Sequence, residues 1–128
     1  MAQQNTDPYQ YSTAALAYLG DAVLEVQTRL RLVQTGIANP GRLNAMAKDY
    51  VTAKAQSTRL EKLLPILSEQ ERSVFLRGRN KSGAHPKSAD AQEYRRATGL
   101  EALFGYLYLD GQTGRLQELF DIYFDLEP

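Results

Sequence analysis

Leu16, Leu19, Val23, Val26, Leu30 and Val33 recur at intervals of three and four, which is one stripe of a helix and not the alternation of a strand. Ser12 or Thr13 can cap its start. Thr35-Gly36 followed by Asn39-Pro40 closes that helix and opens another, since glycine suits the position past a helix end and proline the first turn. Residues 40–64 carry Leu43, Met46, Ala47, Tyr50, Val51, Ala55, Leu60, Leu63 and Leu64, which predicts two helices with a break near Val51. Pro65 interrupts the pattern. Ser68 with Glu71 has the form of a capping box, opening a helix with Val74, Phe75 and Leu76 that is expected to fade by Gly78. Residues 77–88 hold two glycines, one proline and no apolar period, and read as an exposed basic loop. From Ser88 a helix runs to about Asp110, with Tyr94, Ala97, Glu101, Phe104 and Tyr108 on one face and Leu100, Leu103 and Leu107 beside it. Gly111 and Gly114 bracket a turn. A last helix from about Thr113 places Leu116, Leu119, Phe120, Tyr123 and Leu126 at helical spacing. No strand, repeat or low-complexity segment is predicted. The expectation is an all-α fold of six or seven helices, one domain over residues 1–128 with residues 1–11 flexible.

Composition acts mainly by exclusion. A chain of 128 residues can bury a core without disulfide or metal staples. With no cysteine there is no thiol nucleophile and no cysteine-ligated zinc or iron–sulfur cluster, and the lone His85 leaves no multi-histidine metal site. Chemistry, where present, falls to carboxylates. The start MAQQNTDPYQYS has neither a basic nor an apolar leader region, and no stretch approaches the ~18 apolar residues of a membrane span, so a cytoplasmic protein is expected. Fifteen basic and fifteen acidic side chains cancel, yet they are unevenly placed. Residues 72–96 hold seven basic side chains against two acidic ones, and residues 97–128 hold one against six. A neutral chain can thus carry a basic patch, although charge runs also serve simply as solvated helix faces.

Two carboxylates stand out by their surroundings. Asp21 in AALAYLGDAVL and Glu101 in ATGLEALFGYLYL are each the only charge in a run that reads as buried helix. An ionised carboxylate without a partner is costly to bury, so each needs a cation, hydrogen-bond donors or a raised pKa. Gly20 adjoins Asp21 and Gly105 lies one turn beyond Glu101, so a close helix crossing there would bring the two together. Facing one cavity, they would repel unless a divalent ion lay between them, and hard oxygen ligands suit Mg²⁺ or Mn²⁺. The competing reading is structural, with Asp21 paired to a distant arginine or lysine and Glu101 paired along its own helix. Glu25 reads as an i,i+4 partner of Arg29. Tyr94, with Arg95 and Arg96 beside it, suits either contact with a phosphate backbone or a core tyrosine with a hydrated tip.

These segments resemble a known family. YLGDAVLEV at 18–26 and GLEALFGYLYLDG at 99–111 resemble the two catalytic helices of the ribonuclease III domain, each with its central carboxylate. ALAYLGDA at 15–22, RGRNKSG with Pro86-Lys87 at 77–87, and YRRATGLEALFGYLYL at 94–109 resemble the Mini-ribonuclease III subfamily, in matching order and spacing. The resemblance implies an all-helical homodimer that cuts double-stranded RNA with Mg²⁺, or Mn²⁺ in its place, leaving 5′-phosphate and 3′-hydroxyl ends. It puts the metal and the catalytic role on Asp21 and Glu101. It also implies a 23S ribosomal RNA precursor as substrate, matured with the help of a large-subunit ribosomal protein. The longer family pattern has further carboxylates at positions corresponding to Ala14, Ala17 and Thr98, so a thinner shell with one ion per subunit is expected here. Arg77, Arg79, Asn80, Lys81, Lys87, Tyr94 and Arg95 are the candidates for gripping RNA, by shape and charge more than by base edges. In similar proteins the basic loop enters an RNA groove and affects sequence preference. The alternative is a catalytically silent fold of the same family that binds structured RNA as an assembly factor.

Overall fold

Side chains cap four of the helix starts. Ser12 accepts from the Ala15 N–H and opens α1, Thr13–Gln34, while Asn39 accepts from Arg42 ahead of Pro40 and opens α2, Pro40–Val51. Thr52 is extended, ends α2 and caps α3, Ala53–Leu60, so the break falls where the sequence predicts it. Ser68 and Glu71 form the reciprocal capping box of α4, Glu69–Asn80. With α5, Ala89–Leu109, and α6, Thr113–Tyr123, the computed structural model has six α-helices, plus 3-10 turns at Pro8–Gln10 and Leu64–Ile66. It describes residues 7–81 and 89–125, with no strand among them, and no described helix is long and apolar enough to cross a membrane.

The axis of the fold is α5. Leu100, Ala102, Leu103, Phe104 and Leu107 have lost all contact with solvent, as a helix apolar around most of its circumference must. α1, α3 and α4 pack around it, and α6 closes the far side with Phe120 and Tyr123 against Phe104. The tightest crossing is that of α1 on α5. A Cβ on Gly20 would stand 1.6 Å from the Glu101 carbonyl oxygen, and one on Gly105 would stand 2.0 Å from that of Leu16. The two backbones therefore touch where the sequence places glycine beside each carboxylate.

Two expectations are corrected by packing. α4 does not fade by Gly78 but continues to Asn80, because Gly78 lies buried on α5 and tertiary contact outweighs its poor helix propensity. Arg77, Arg79 and Asn80 thus form the last helical turn, not the loop. On α1 the buried row is Leu16, Gly20, Leu24, Thr28 and Leu32, whereas Val26, Leu30 and Val33 of the expected stripe are exposed. The three-and-four spacing averages 3.5 residues and drifts by about 20° per heptad on a helix of 3.6, while the close crossing follows an i,i+4 ridge. Of residues 1–11, Pro8–Gln10 form a turn whose Tyr9 hydroxyl hydrogen-bonds Ser73, while residues 1–6 lie outside the described part. Leu126 also lies outside it.

The capping box also joins distant elements. Arg115 of α6 donates to both oxygens of Glu71 at 2.8 Å and to the Ile66 carbonyl. Burial alone would raise the Glu71 pKa, but hydrogen bonds from Arg115 and Ser68 hold it below the ordinary carboxylate value.

Candidate functional site

A cleft of about 390 Å³ opens over the α1–α5 crossing, lined by Asp21 and Glu101 with Thr13, Ala14, Ala17, Tyr18, Lys81, Tyr94 and Thr98. Because Gly20 and Gly105 let the backbones touch, the residues beside them face each other from adjoining helices. Asp21 stands exposed at the rim and Glu101 lies half-buried in the wall, so the sequence is right about burial for Glu101 only. A larger cavity of about 530 Å³ lies between α1 and α2, lined by residues such as Leu32, Leu43 and Ala47 and by no carboxylate. Of these two, the smaller cleft is the one lined by carboxylates.

Burial pushes the Glu101 carboxyl up to about 7, and the negative charge of Asp21, within hydrogen-bonding reach, adds to the rise. Gln56 of α3 opposes it, donating from Nε2 to Glu101 Oε2 at 3.4 Å. Among the described residues neither Asp21 nor Glu101 has an ion-pair partner. Glu25, by contrast, is held by Arg29 at 2.9 Å, as its spacing predicts. No group of three or more potential metal-ligating side chains occurs among the described residues. Two facing carboxylates on an open cleft nonetheless fit a hard divalent cation that keeps most of its water, because the ion relieves their repulsion.

The raised Glu101 pKa has a consequence for the metal-free protein. The folded state holds this proton more tightly than the unfolded state, so the associated stability is full below about 4.5 and is lost as pH rises through about 7. Glu101→Gln, which keeps the neutral form, is expected to unfold at a higher temperature than the wild type in EDTA at pH 8, with the gap closing at pH 4.5. Thermal midpoints across that range check it, and a variant less stable at pH 8 would count against it.

The other predicted site residues separate into groups. Lys81 and Tyr94 share the cleft with the carboxylates. Arg79 and Asn80 lie just before Lys81 and hydrogen-bond each other, while Arg77 donates to the Tyr11 carbonyl and lies 4.7 Å over the Tyr9 ring. Arg95 is half-buried on α5, and its neighbour Arg96 is committed to Ser57 and Glu61 of the α3 region, a structural tie. Lys87 lies outside the described residues. Ala14, Ala17 and Thr98 line the cleft, so the thinner carboxylate set falls on this very site. Gln56 escaped the sequence reading, since one glutamine in AKAQSTRL carries no signal.

The chain is similar to known proteins over most of its length. The ribonuclease III domain matches residues 14–112. Mini-ribonuclease 3 of Symbiobacterium thermophilum is 48% identical over 114 residues, covering 88% of each chain. That of Enterococcus faecalis is 46% identical over 116 residues, again 88% of each chain. A crystal structure of a protein from Fusobacterium nucleatum superposes with a TM-score of 0.81 at 33% identity, covering 91% of this chain and 97% of that one.

Proposed function

The chain belongs to the ribonuclease III family and is an endoribonuclease of the Mini-ribonuclease 3 type, and from that premise we propose that it cuts double-stranded RNA at the Asp21–Glu101 cleft with one divalent ion per protomer. The observation that carries this reading is the facing pair of carboxylates on an open cleft, with no ion-pair partner among the described residues. Asp21 and Glu101 hold Mg²⁺, with Mn²⁺ as a substitute. When bound, the ion supplies an acidified water and neutralises charge on the scissile phosphate. Lys81 and Tyr94, which line the cleft, grip the RNA backbone, and Arg77, Arg79, Asn80, Lys87 and Arg95 are the further proposed RNA contacts. Such contacts recognise the A-form duplex by phosphates and 2′-hydroxyls. The products carry 5′-phosphate and 3′-hydroxyl ends. The proposed substrate is the 23S ribosomal RNA precursor, assisted by a large-subunit ribosomal protein, in the cytoplasm.

The test is cleavage of a labelled RNA duplex beside the same strand unpaired. Cutting of the duplex with Mg²⁺, stopped by EDTA and weakened steeply by salt, is the expected result. Duplex binding without cutting, in either metal, would transfer the protein to the silent RNA-binding reading.

Dimerisation belongs to the same proposal. Tyr18, Val26, Leu30 and Val33 form an exposed apolar strip along α1, with Tyr18 at 85% exposure beside the cleft. A second copy covering this strip puts two clefts on one duplex, one for each strand. Val26→Asp would place an unpaired charge in that contact, at a cost of about 3 kcal/mol, or roughly a hundredfold in dimer affinity. Sedimentation at micromolar concentration is expected to give dimers for the wild type and monomers for the variant. A monomeric wild type that still cuts both strands would contradict it.

A further inference from the structure

Gln56 is 99% buried on α3, with its Nε2 3.3 Å from the Val51 carbonyl and 3.4 Å from Glu101 Oε2, and its Oε1 has no partner. A buried amide with an orphaned oxygen is expensive, and an aliphatic side chain of similar size would pack there at lower cost. The orientation is fixed by its surroundings. Turning the amide over would set its oxygen against the Val51 carbonyl oxygen, which has no proton to give, so the NH₂ end faces Val51 and with it Glu101. Both contacts trace to local structure. The Val51 carbonyl lies at the last turn of α2, where the break at Thr52 takes away its continuing helical donors. One residue along, Ser57 receives Arg96 from α5 at 2.8 Å, and Arg96 also reaches Glu61, which holds α3 in register with α5.

We infer that Gln56 is a positioning residue, whose buried amide clamps the Glu101 carboxylate so that it meets the divalent ion together with Asp21. This rests on the metal reading of the Asp21–Glu101 pair. Beside the contact with Asp21 across the cleft, Gln56 is the neutral donor that fixes the Glu101 side chain among the described residues. Partners that orient ligating carboxylates typically change metal affinity by about 10- to 100-fold when removed.

The test is Mn²⁺ binding to the RNA-free protein, followed by electron paramagnetic resonance, for the wild type and Gln56→Met, a substitution of similar volume. Mn²⁺ affinity is expected to fall about tenfold or more in the variant. The Mg²⁺ concentration for half-maximal cleavage should rise by the same factor, with KM for RNA unchanged and kcat recovered in excess Mg²⁺. Equal Mn²⁺ affinities would overturn the role of Gln56 and leave the metal site standing. A wild type that binds no Mn²⁺ would overturn both. Where Gln56→Met does not fold, the wild type answers instead: the Gln56 side-chain amide should shift in nitrogen-15 NMR spectra on addition of Mg²⁺ more than that of Gln112, and an unmoved signal would overturn the inference.

Discussion

Asp21→Asn and Glu101→Gln are each expected to slow cleavage of duplex RNA by about a thousandfold or more, a loss of about 4 kcal/mol of transition-state stabilisation, with duplex affinity nearly unchanged. Each substitution keeps the shape of the side chain and removes a charge. With two carboxylates facing the cleft among the described residues, each would supply about half of the protein's hold on the proposed ion. In the proposed reading RNA binding rests instead on Lys81 and the other basic candidates, which neither substitution touches. Single-turnover cleavage beside filter binding measures both quantities. Retention of more than a tenth of the rate in either variant would remove that residue from the site.

The second large effect is structural. Gly105→Ala would place a methyl 2.0 Å from the Leu16 carbonyl oxygen, and Gly20→Ala one at 1.6 Å from that of Glu101. Neither obstacle is a movable side-chain end. The helices must separate, which costs about 3 kcal/mol or more in a domain whose total stability is typically about 5–15 kcal/mol. Because the crossing also sets Asp21 opposite Glu101, metal affinity should fall with the melting temperature. Gly114→Ala is the control, since nothing lies within 4 Å of its added methyl. Thermal unfolding is expected to fall by about 10 °C or more for the first two and to stay within a few degrees for the third. Unchanged midpoints for Gly20→Ala and Gly105→Ala would contradict the close crossing.

That crossing is legible in the sequence, because a glycine next to Asp21 and another one turn beyond Glu101 are a local signal with one economical explanation. The caps were legible for the same reason: Ser68 and Glu71 satisfy each other within one turn. What failed depended on distant partners. The end of α4 is set by Gly78 resting on Ala102, a contact between helices that no window of sequence contains. Both sides of α1 are apolar, so its spacing alone could not say which side meets α5 and which stays exposed. Asp21 read as buried because its neighbours are apolar, yet those neighbours cover other faces of the helix. Gln56 was invisible because its value lies wholly in reaching Glu101, 45 residues away in sequence. Of the candidates for RNA contact, Lys81 and Tyr94 were brought to the carboxylates, whereas Arg77 was drawn toward Tyr9 and Tyr11.

The central claim is that two carboxylates per protomer hold one divalent ion where the RNA is cut. Counting Mn²⁺ bound per protomer, in the wild type and in Asp21→Asn and Glu101→Gln, meets it most directly. The expected result is one ion in the wild type and none in either variant, both variants still binding duplex RNA. Two tightly held ions per protomer, or one ion that survives both substitutions, would contradict it.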